Sequence, residues 1–149
     1  MKIESIRFGM LRVPLKTPFK TAMRTVSEIA DVVVMLETDD GRTGYGSAPA
    51  TAVITGETHG SIIEAIARVI GPTVLGSEVR NLNRITDRIQ KSIVRNFSAK
   101  AAVEIAVYDL FGQLYEAPIY RLLGGGDAVI TTDCKGIVEY LNPVAEKLT

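Results

Sequence analysis

The chain has 149 residues, 46% of them hydrophobic, and this size and composition are typical of one globular domain, or of one domain and part of another. Its 17 basic and 17 acidic residues give a formal net charge of zero and form no run of one sign. This balance argues against nucleic acids and anionic membranes as partners.

The composition also limits the redox chemistry and the location. The only cysteine, Cys134, excludes an internal disulfide, and with a single histidine in the chain it argues against a zinc cluster. Lys2, Glu4 and Arg7 interrupt the apolar run that a secretory signal needs, and no segment is apolar over a length that spans a bilayer. We therefore expect a cytoplasmic protein.

Three strands are predicted at the start of the chain. Residues 3–15 alternate loosely, residues 30–38 are apolar and β-branched, and residues 42–48 follow the turn Asp39-Asp40-Gly41. Glycine, and less readily aspartate, accepts the positive φ of a tight turn, so the second and third strands should be antiparallel neighbours. Residues 16–29 are predicted to form a long loop, and long loops in compact domains are usually functional or disordered.

Three helices are predicted next. The first has apolar residues at helical spacing from Ile62 to Ile70 and ends at Gly71-Pro72. The second follows Asn81 with one apolar face. The third begins at Ser98 as N-cap, is apolar around most of its girth, and ends at Ala117-Pro118, because the residue before proline is disfavoured in a helix. Strands followed by helices indicate an α+β domain with a three-stranded antiparallel sheet and a helical bundle.

The carboxy-terminal segment is predicted to begin a separate structural unit. A short helical turn from Ile119 to Leu123 stops at Gly124, and a strand is predicted over residues 128–138. Asn142-Pro143 is a helix start signal, with asparagine as N-cap and proline at the first position. We predict one domain over residues 1–126 and a separate segment over residues 127–149.

Several residues that suggest chemistry have a simpler structural interpretation. The segment Gly44 to Pro49 lacks the helix opening of a dinucleotide-binding loop and is better explained as a strand end. Gly124 to Gly126 follows a helix and lacks the ending of a phosphate loop, which indicates a C-cap. His59 has no second histidine and no cysteine beside it, so we expect a solvated structural histidine. Ser47 has no nearby base, and Asp109 lies in an apolar helix, where a hydrogen-bonded structural carboxylate is expected, so we interpret both as structural.

The first loop suits a small anionic ligand better than the other segments do. It places cations beside apolar side chains, and Arg24 could bind a carboxylate through a planar two-bond fork, although a solvated loop is the commoner reading of such a segment. The second loop, residues 50–60, is rich in small residues, and the two loops could cover a ligand together. The residues concerned are Lys16, Phe19, Lys20, Met23 and Arg24 in the first loop and Val53 and Ile54 in the second.

A family resemblance rests on four segments. The first loop TPFKTAMRTV, the strand end GYGSAP, the segment VITGET and the block SAKAAVEIAVYDLFGQLYEAPIYRLLGG occur in this order, after three strands and among helices. Together they resemble the N-terminal capping domain of the enolase superfamily, muconate-lactonizing subgroup, and within it the dipeptide epimerases of the L-Ala-D/L-Glu type. The resemblance covers residues 1 to about 140.

The resemblance implies a two-part enzyme. The capping domain would supply loops that cover the substrate, with Arg24, Phe19 and Ile54 as substrate-binding residues and Arg24 meeting the acidic side chain of a dipeptide. A β/α barrel of about 200 or more residues would supply two lysine bases and three carboxylates on Mg²⁺ that stabilise an enolate. Ser47 stands where many members carry a glutamate.

This comparison sets the expectations for the chain itself. Residues 127–149 would be the first strand and helix start of the barrel, so the chain would contain no catalytic residue and no metal ligand and would be inactive alone. Its ligand would be a dipeptide or another small carboxylate, and homo-oligomerisation is possible. Two alternatives stay open: the cap of a muconate or chloromuconate cycloisomerase, and a non-catalytic binding or oligomerisation module that pairs through the strand at residues 128–138.

Overall fold

The computed structural model describes residues 1–22, 24–123, 130–132 and 138–141, which form two compact units, Met1–Tyr115 and Glu116–Thr149. The first unit opens with a three-stranded antiparallel sheet in the order β1-β2-β3. This confirms the predicted sheet. Its strands are β1 (Ile3–Lys20), β2 (Thr25–Thr38) and β3 (Thr43–Pro49).

The turn between β2 and β3 forms as its sequence predicts. Gly41 adopts a φ of 82°, and its amide donates to the Thr38 carbonyl at 2.9 Å. The hydroxyl of Thr38 donates to the Asp40 carboxylate at 2.6 Å, and this bond, followed by the charge of Arg42, holds the pKa of Asp40 below its ordinary value of 3.8. The turn is therefore fixed by side chains as well as by glycine.

The predicted first loop is mostly strand, which is a correction. β1 and β2 continue past the end of β3 as a two-stranded ribbon, with Phe19 opposite Val26 and Lys20 opposite Thr25. The register shifts between Pro14 and Phe19, so β1 carries a bulge at this point. We call residues 11–30 the arm. This pleated ribbon carries apolar side chains on both of its faces. Its sequence therefore lacks the regular alternation of apolar and polar residues by which a strand is usually predicted.

The helices follow in chain order. The first predicted helix does not end at Gly71-Pro72, because a π-helical segment before the proline widens the turn and the run continues to Val74. Ser98 is not an N-cap, since Asn96 precedes the helix and Ser98 lies in its first turn. The elements are α1 (Ala52–Thr55), α2 (His59–Ala65), the π segment (Ile66–Ile70), α3 (Gly71–Val74), α4 (Leu82–Ser92) and α5 (Phe97–Leu114).

The core lies between the helices and one face of β2 and β3. Val32, Val34 and Leu36 alternate along β2 and are fully buried, as a half-covered strand requires. The predicted face of α4 is confirmed by Leu82, Ile85 and Ile89, which are buried. The other large buried side chains are Ile3, Ile62, Ile66, Ile70, Val74, Val79, Val103, Val107 and Leu110.

The Gly-x-Gly of β3 exists because α5 lies directly on this strand. A Cβ atom added at Gly46 would be 1.9 Å from the Ala102 carbonyl oxygen, and one at Gly44 would be 2.3 Å from the Ala106 carbonyl oxygen. Only glycine permits this approach of two backbones. The interpretation of the segment as a strand, not a dinucleotide loop, is confirmed with this reason.

Polar side chains of α5 bind the free edge of β3. Asp109 accepts the Tyr45 amide proton at 2.9 Å, and Gln113 donates to the Thr43 carbonyl at 2.9 Å. Arg42 in turn donates to the Gln113 carbonyl at 2.6 Å. The interpretation of Asp109 as a hydrogen-bonded structural carboxylate is confirmed, because its role is to satisfy an edge strand.

The second unit contains α6 (Ile119–Leu122), which matches the predicted helical turn, and two short strands, β4 (Ile130–Thr132) and β5 (Val138–Leu141). These strands pair antiparallel with Thr131 opposite Tyr140. β4 lies within the predicted strand over residues 128–138, and β5 begins at the last residue of that range; the rest of the predicted strand lies outside the described residues. The predicted helix start at Asn142-Pro143 and the stop at Gly124 lie outside the described residues, and the domain boundary at residue 126 stays a prediction.

Within the described ranges, no helix is long and apolar enough to cross a membrane.

Candidate functional site

The tip of the arm is closed by its own hydrogen bonds. The Thr21 amide donates to the Arg24 carbonyl at 2.8 Å, and the Arg24 amide donates to the Thr21 hydroxyl oxygen at 3.1 Å. Arg24 is half-buried, whereas Phe19, farther back along β1, is 60% exposed. The arm therefore fixes the backbone at Arg24 while it holds an aromatic ring in solvent.

The second loop contains the one-turn helix α1. Gly56 ends this helix with a φ of 77°, and its amide donates to the Ala52 carbonyl. Val53 and Ile54 are 66% and 62% exposed. Two neighbouring β-branched residues are thus presented to solvent on a short, closed turn, where they contribute nothing to the core.

A cavity of about 320 Å³ lies beside the first half of β2 and the end of β3. Arg24 from the arm and Thr51 from the second loop both line it, so the cavity joins the two predicted loops. Phe19 and Ile54 do not line it, and their role as substrate-binding residues stays a prediction. The other polar or ring-bearing residues of the lining are Glu28, Asp31, Pro49 and His59.

Two of the ionisable lining residues are already engaged. Glu28 forms an ion pair with Arg12 at 3.1 Å. His59 has its Nε2 atom 2.8 Å from the Ala30 carbonyl oxygen and is half-buried. This backbone contact bears out the structural interpretation of His59, which is less solvated than the sequence suggests.

Arg24 and Asp31 are the charged residues of the cavity lining that form no ion pair with another described residue. Within the part of the chain that the structure describes, no carboxylate lies within 4.0 Å of the Arg24 guanidinium, and the Asp31 carboxylate has no hydrogen-bond or ion-pair partner. Sequence reasoning identified Arg24 but missed Asp31, because an aspartate inside a β-branched run gives no signal of its own. The cavity thus offers one cation and one anion to a ligand.

Glu57 ties the second loop to α5, a role that no local sequence pattern predicts. The residue is 7% exposed, and its carboxylate accepts the Ser98 amide proton at 3.1 and 3.2 Å and the Ser98 hydroxyl proton at 2.7 Å. A carboxylate is favoured here because the amides of the first turn of α5 carry a partial positive charge. Glu57 therefore anchors the loop one turn away from Ile54.

Ser47 lies on the exposed side of β3, opposite Val33, while Gly46 and Ala48 face the helices. No base is hydrogen-bonded to its hydroxyl among the described residues, so nothing in its surroundings activates it as a nucleophile. Its interpretation as a structural residue agrees with this geometry.

A metal centre is not formed by the described residues, among which no three histidine, cysteine, aspartate or glutamate side chains converge as metal ligands would. Glu28 and Asp31 both line the cavity, and Glu28 is paired with Arg12.

Comparison with known proteins identifies the fold. Residues 5–124 match the N-terminal domain of the mandelate racemase / muconate lactonizing enzyme family. The chain is 47% identical over 133 residues to the L-Ala-D/L-Glu epimerase of Clostridium acetobutylicum, a match that covers 89% of this chain and 37% of that protein.

Solved structures agree with the sequence comparison. The L-Ala-D/L-Glu epimerase from Bacillus subtilis, in a substrate-liganded complex, superimposes with a TM-score of 0.81 at 44% identity, over 88% of this chain and 37% of that chain. The dipeptide epimerase from Enterococcus faecalis, complexed with Mg and the dipeptide L-Leu-L-Tyr, gives a TM-score of 0.78 at 36% identity, over 88% and 37%. The chain thus spans little more than a third of the length of these relatives. It belongs to the mandelate racemase / muconate lactonizing enzyme family, whose N-terminal domain it carries.

Proposed function

We propose that this chain is the substrate-covering and specificity domain of a dipeptide epimerase-like isomerase. The reaction would remove the α-proton next to a carboxylate and stabilise the resulting enolate with Mg²⁺, and a β/α barrel would supply both the bases and the metal ligands. The observation that carries the proposal is the position of Arg24, which lines a cavity between the two loops without a carboxylate partner among the described residues.

The unpaired guanidinium supports an acidic substrate side chain. Arginine binds a carboxylate through two parallel N–H···O bonds, and this geometry distinguishes a carboxylate from a neutral amide. An ion pair between Arg24 and Glu28 would prevent Arg24 from binding a substrate carboxylate. Glu28 is paired with Arg12 instead. The named activity of the relatives, epimerisation of L-Ala-D/L-Glu, is consistent with this preference.

The arm supports a covering role. A two-stranded ribbon is marginally stable alone in water, and this one leaves Leu11, Val13 and Ile29 between 40% and 45% exposed. Such a ribbon gains stability when it packs on another surface, so a barrel beneath it would order the arm and enclose the substrate. Loops that close in this way exclude water from the reacting atoms.

A chimera tests the proposal. Residues 1–126 of this chain replace the matching region of the Bacillus subtilis L-Ala-D/L-Glu epimerase, and exchange of the α-proton of Ala-Glu into deuterium oxide is followed by NMR. The chimera should be active, and Arg24→Ala should lower kcat/KM for Ala-Glu by roughly 10²-fold or more while Ala-Leu is affected far less. Lys16→Ala is the control, because it removes an exposed cation of the same arm outside the cavity.

Two outcomes would contradict the proposal. Equal turnover of Ala-Glu by the Arg24→Ala chimera would remove the specificity role of Arg24. Exchange of the α-proton by the 149-residue chain alone with Mg²⁺ would overturn the inference that the catalytic groups lie elsewhere.

The two alternatives have different support. A muconate or chloromuconate substrate would also present carboxylates to Arg24, and lactonisation without epimerisation by the chimera would identify it. The module reading depended on an unpaired strand at residues 128–138. β4 and β5 pair with each other as a two-stranded sheet, which still leaves one unpaired edge on each strand among the described residues, so this alternative stays open.

A further inference from the structure

The second loop is fastened at its two ends, while α1 between them buries no side chain. At the start of the loop, β3 holds Pro49 opposite Asp31. At its end, His59 contacts the Ala30 carbonyl oxygen and Glu57 binds α5. α1 carries no buried residue, so packing against the core does not set its position beside the Arg24 cavity. That position depends on the fastenings.

Gly56 is the joint between α1 and Glu57. It adopts a φ of 77°, and a Cβ atom added there would meet nothing within 4 Å. Glycine exchanges between backbone conformations more readily than other residues do, and the hinges of covering loops are often small residues. The backbone alone therefore leaves the direction of α1 adjustable, and the contacts of the next residue, Glu57, restrict it.

The start of α5 leaves a place for Glu57. Asn96 precedes the helix and belongs to a residue type that favours the N-cap, yet its side chain makes no cap hydrogen bond. Its Nδ2 atom donates to the Val94 carbonyl at 3.0 Å instead. The Ser98 amide, which has no acceptor within the first turn of a helix, donates to Glu57, 41 residues earlier in the chain. The second loop thus supplies the cap that α5 lacks.

The contact between Glu57 and Ser98 is directional as well as strong. The described partners of the Glu57 carboxylate are the amide and the hydroxyl group of Ser98, at 2.7 to 3.2 Å. Hydrogen bonds to an ionised acceptor are roughly twice as strong as neutral ones. Because two donors of one residue meet both carboxylate oxygens, they fix the orientation of Glu57 and with it the adjoining joint at Gly56.

We propose that Glu57 is a positioning residue for the substrate, and that its bonds to Ser98 hold α1 over the Arg24 cavity. This inference rests on the proposed cap function. Glu57 does not line the cavity and acts through α1, which carries Val53 and Ile54. Without these bonds α1 moves at Gly56 and covers the substrate less well. Such a loss weakens the bound ground state and the transition state alike, which raises KM and leaves kcat nearly unchanged.

Kinetics of the chimera test the role. Glu57→Gln should raise KM for Ala-Glu roughly fivefold or more, with kcat within about twofold of the unaltered chimera. Ser98→Ala should act in the same direction, whereas Ser98→Thr keeps the hydroxyl group and should restore KM. The double variant Glu57→Gln/Ser98→Ala should have no higher KM than Glu57→Gln, because both substitutions break one contact.

Asp109→Asn is the matched control. It also neutralises a carboxylate that accepts a backbone amide proton, that of Tyr45, but away from the second loop. It should lower the Tm and leave KM unchanged. A KM that rises equally in Asp109→Asn, or a Glu57→Gln chimera that loses kcat at constant KM, would overturn the positioning role.

An independent measurement needs no activity. In the 149-residue chain, labelled with ¹⁵N, the backbone order parameters of Val53 and Ile54 should fall from about 0.85 towards 0.6 in Glu57→Gln and in the milder variant Ser98→Ala. Unchanged order parameters in the folded Ser98→Ala chain would refute the inference even if Glu57→Gln failed to fold. An inactive unaltered chimera would instead count against the proposed function, and lowered order parameters would still support the hold of Glu57 on α1.

Discussion

Substitution of Gly46 by alanine should destabilise the chain severely, because α5 leaves no space for a methyl group on β3. The added Cβ would be 1.9 Å from the Ala102 carbonyl oxygen and 3.0 Å from two further backbone atoms. Ordinary contact begins at 3.4 Å, so strand and helix must separate by about 1.5 Å. All three atoms belong to helix backbone and cannot rotate away.

The cost follows from this geometry. Overpacking of a core costs about 1–3 kcal/mol where side chains can adjust, and a backbone obstacle places Gly46→Ala at about 3 kcal/mol or above. The intrinsic preference of strands for alanine over glycine, about 0.5–1 kcal/mol, offsets only part of this. In a chain of about 150 residues, 3 kcal/mol corresponds to a fall in Tm of roughly 6–12 °C.

Urea and thermal unfolding followed by circular dichroism would measure the effect. Gly9→Ala is the matched control, because Gly9 lies in β1 of the same sheet and an added Cβ there meets nothing within 4 Å. We expect this control to be neutral or slightly stabilising. If Gly46→Ala unfolded within about 1 kcal/mol of Gly9→Ala, the close backbone approach of α5 and β3 would be refuted.

Two further predictions concern the carboxylates. Glu57→Gln should lower the free energy of unfolding by about 1–3 kcal/mol, since it weakens buried charge-assisted bonds to Ser98, and an unchanged urea midpoint would contradict the anchoring role. Asp40 should titrate below 3.8 by NMR and move towards 3.8 in Thr38→Ala, which removes the largest cause of the shift. Because the folded-state pKa is lowered, the stability that Asp40 contributes is present above pH 3.8 and is lost as the pH falls through the folded-state pKa.

Local signals predicted the elements that depend on local physics. The Asp-Asp-Gly turn, the apolar face of α4 and the apolar girth of α5 each follow from spacing and from the conformational freedom of glycine. The resemblance of four short segments then identified the family, and the matched range of residues 5–124 agrees with it. These features survive because neighbouring residues specify them whatever the rest of the chain does.

The sequence-based predictions were wrong where contacts between distant segments override a local sequence rule. Gly71-Pro72 is a helix stop by its residues, yet the helical run continues because the π segment accommodates the proline and Gly71 packs against Ile6. Residues 16–29 are predicted as a loop because they are long and mixed in polarity, whereas pairing between β1 and β2 holds them extended. Ser98 lies in the first turn of α5 instead of at its N-cap, and its hydroxyl donates to Glu57, 41 residues away in the sequence.

The candidate site shows the same division. Arg24 could be singled out because a cation beside aromatic and apolar residues in a long connection is a local pattern. Asp31, Thr51 and His59 join it only because β3 ends opposite Asp31 in the first half of β2. The cavity itself has no sequence signature, since its walls come from segments that are separated in the chain.

The sequence by itself determined the family, the order of strands and helices, and the residue most suited to bind a carboxylate. Only the tertiary structure decided which charges are free, because Arg12 neutralises Glu28 and leaves Arg24 and Asp31 without partners among the described residues. The same holds for Gly46, whose role depends on a helix that begins 51 residues later. Composition and spacing act through neighbours in the chain, whereas ion pairing and close packing depend on distances that only the folded chain defines.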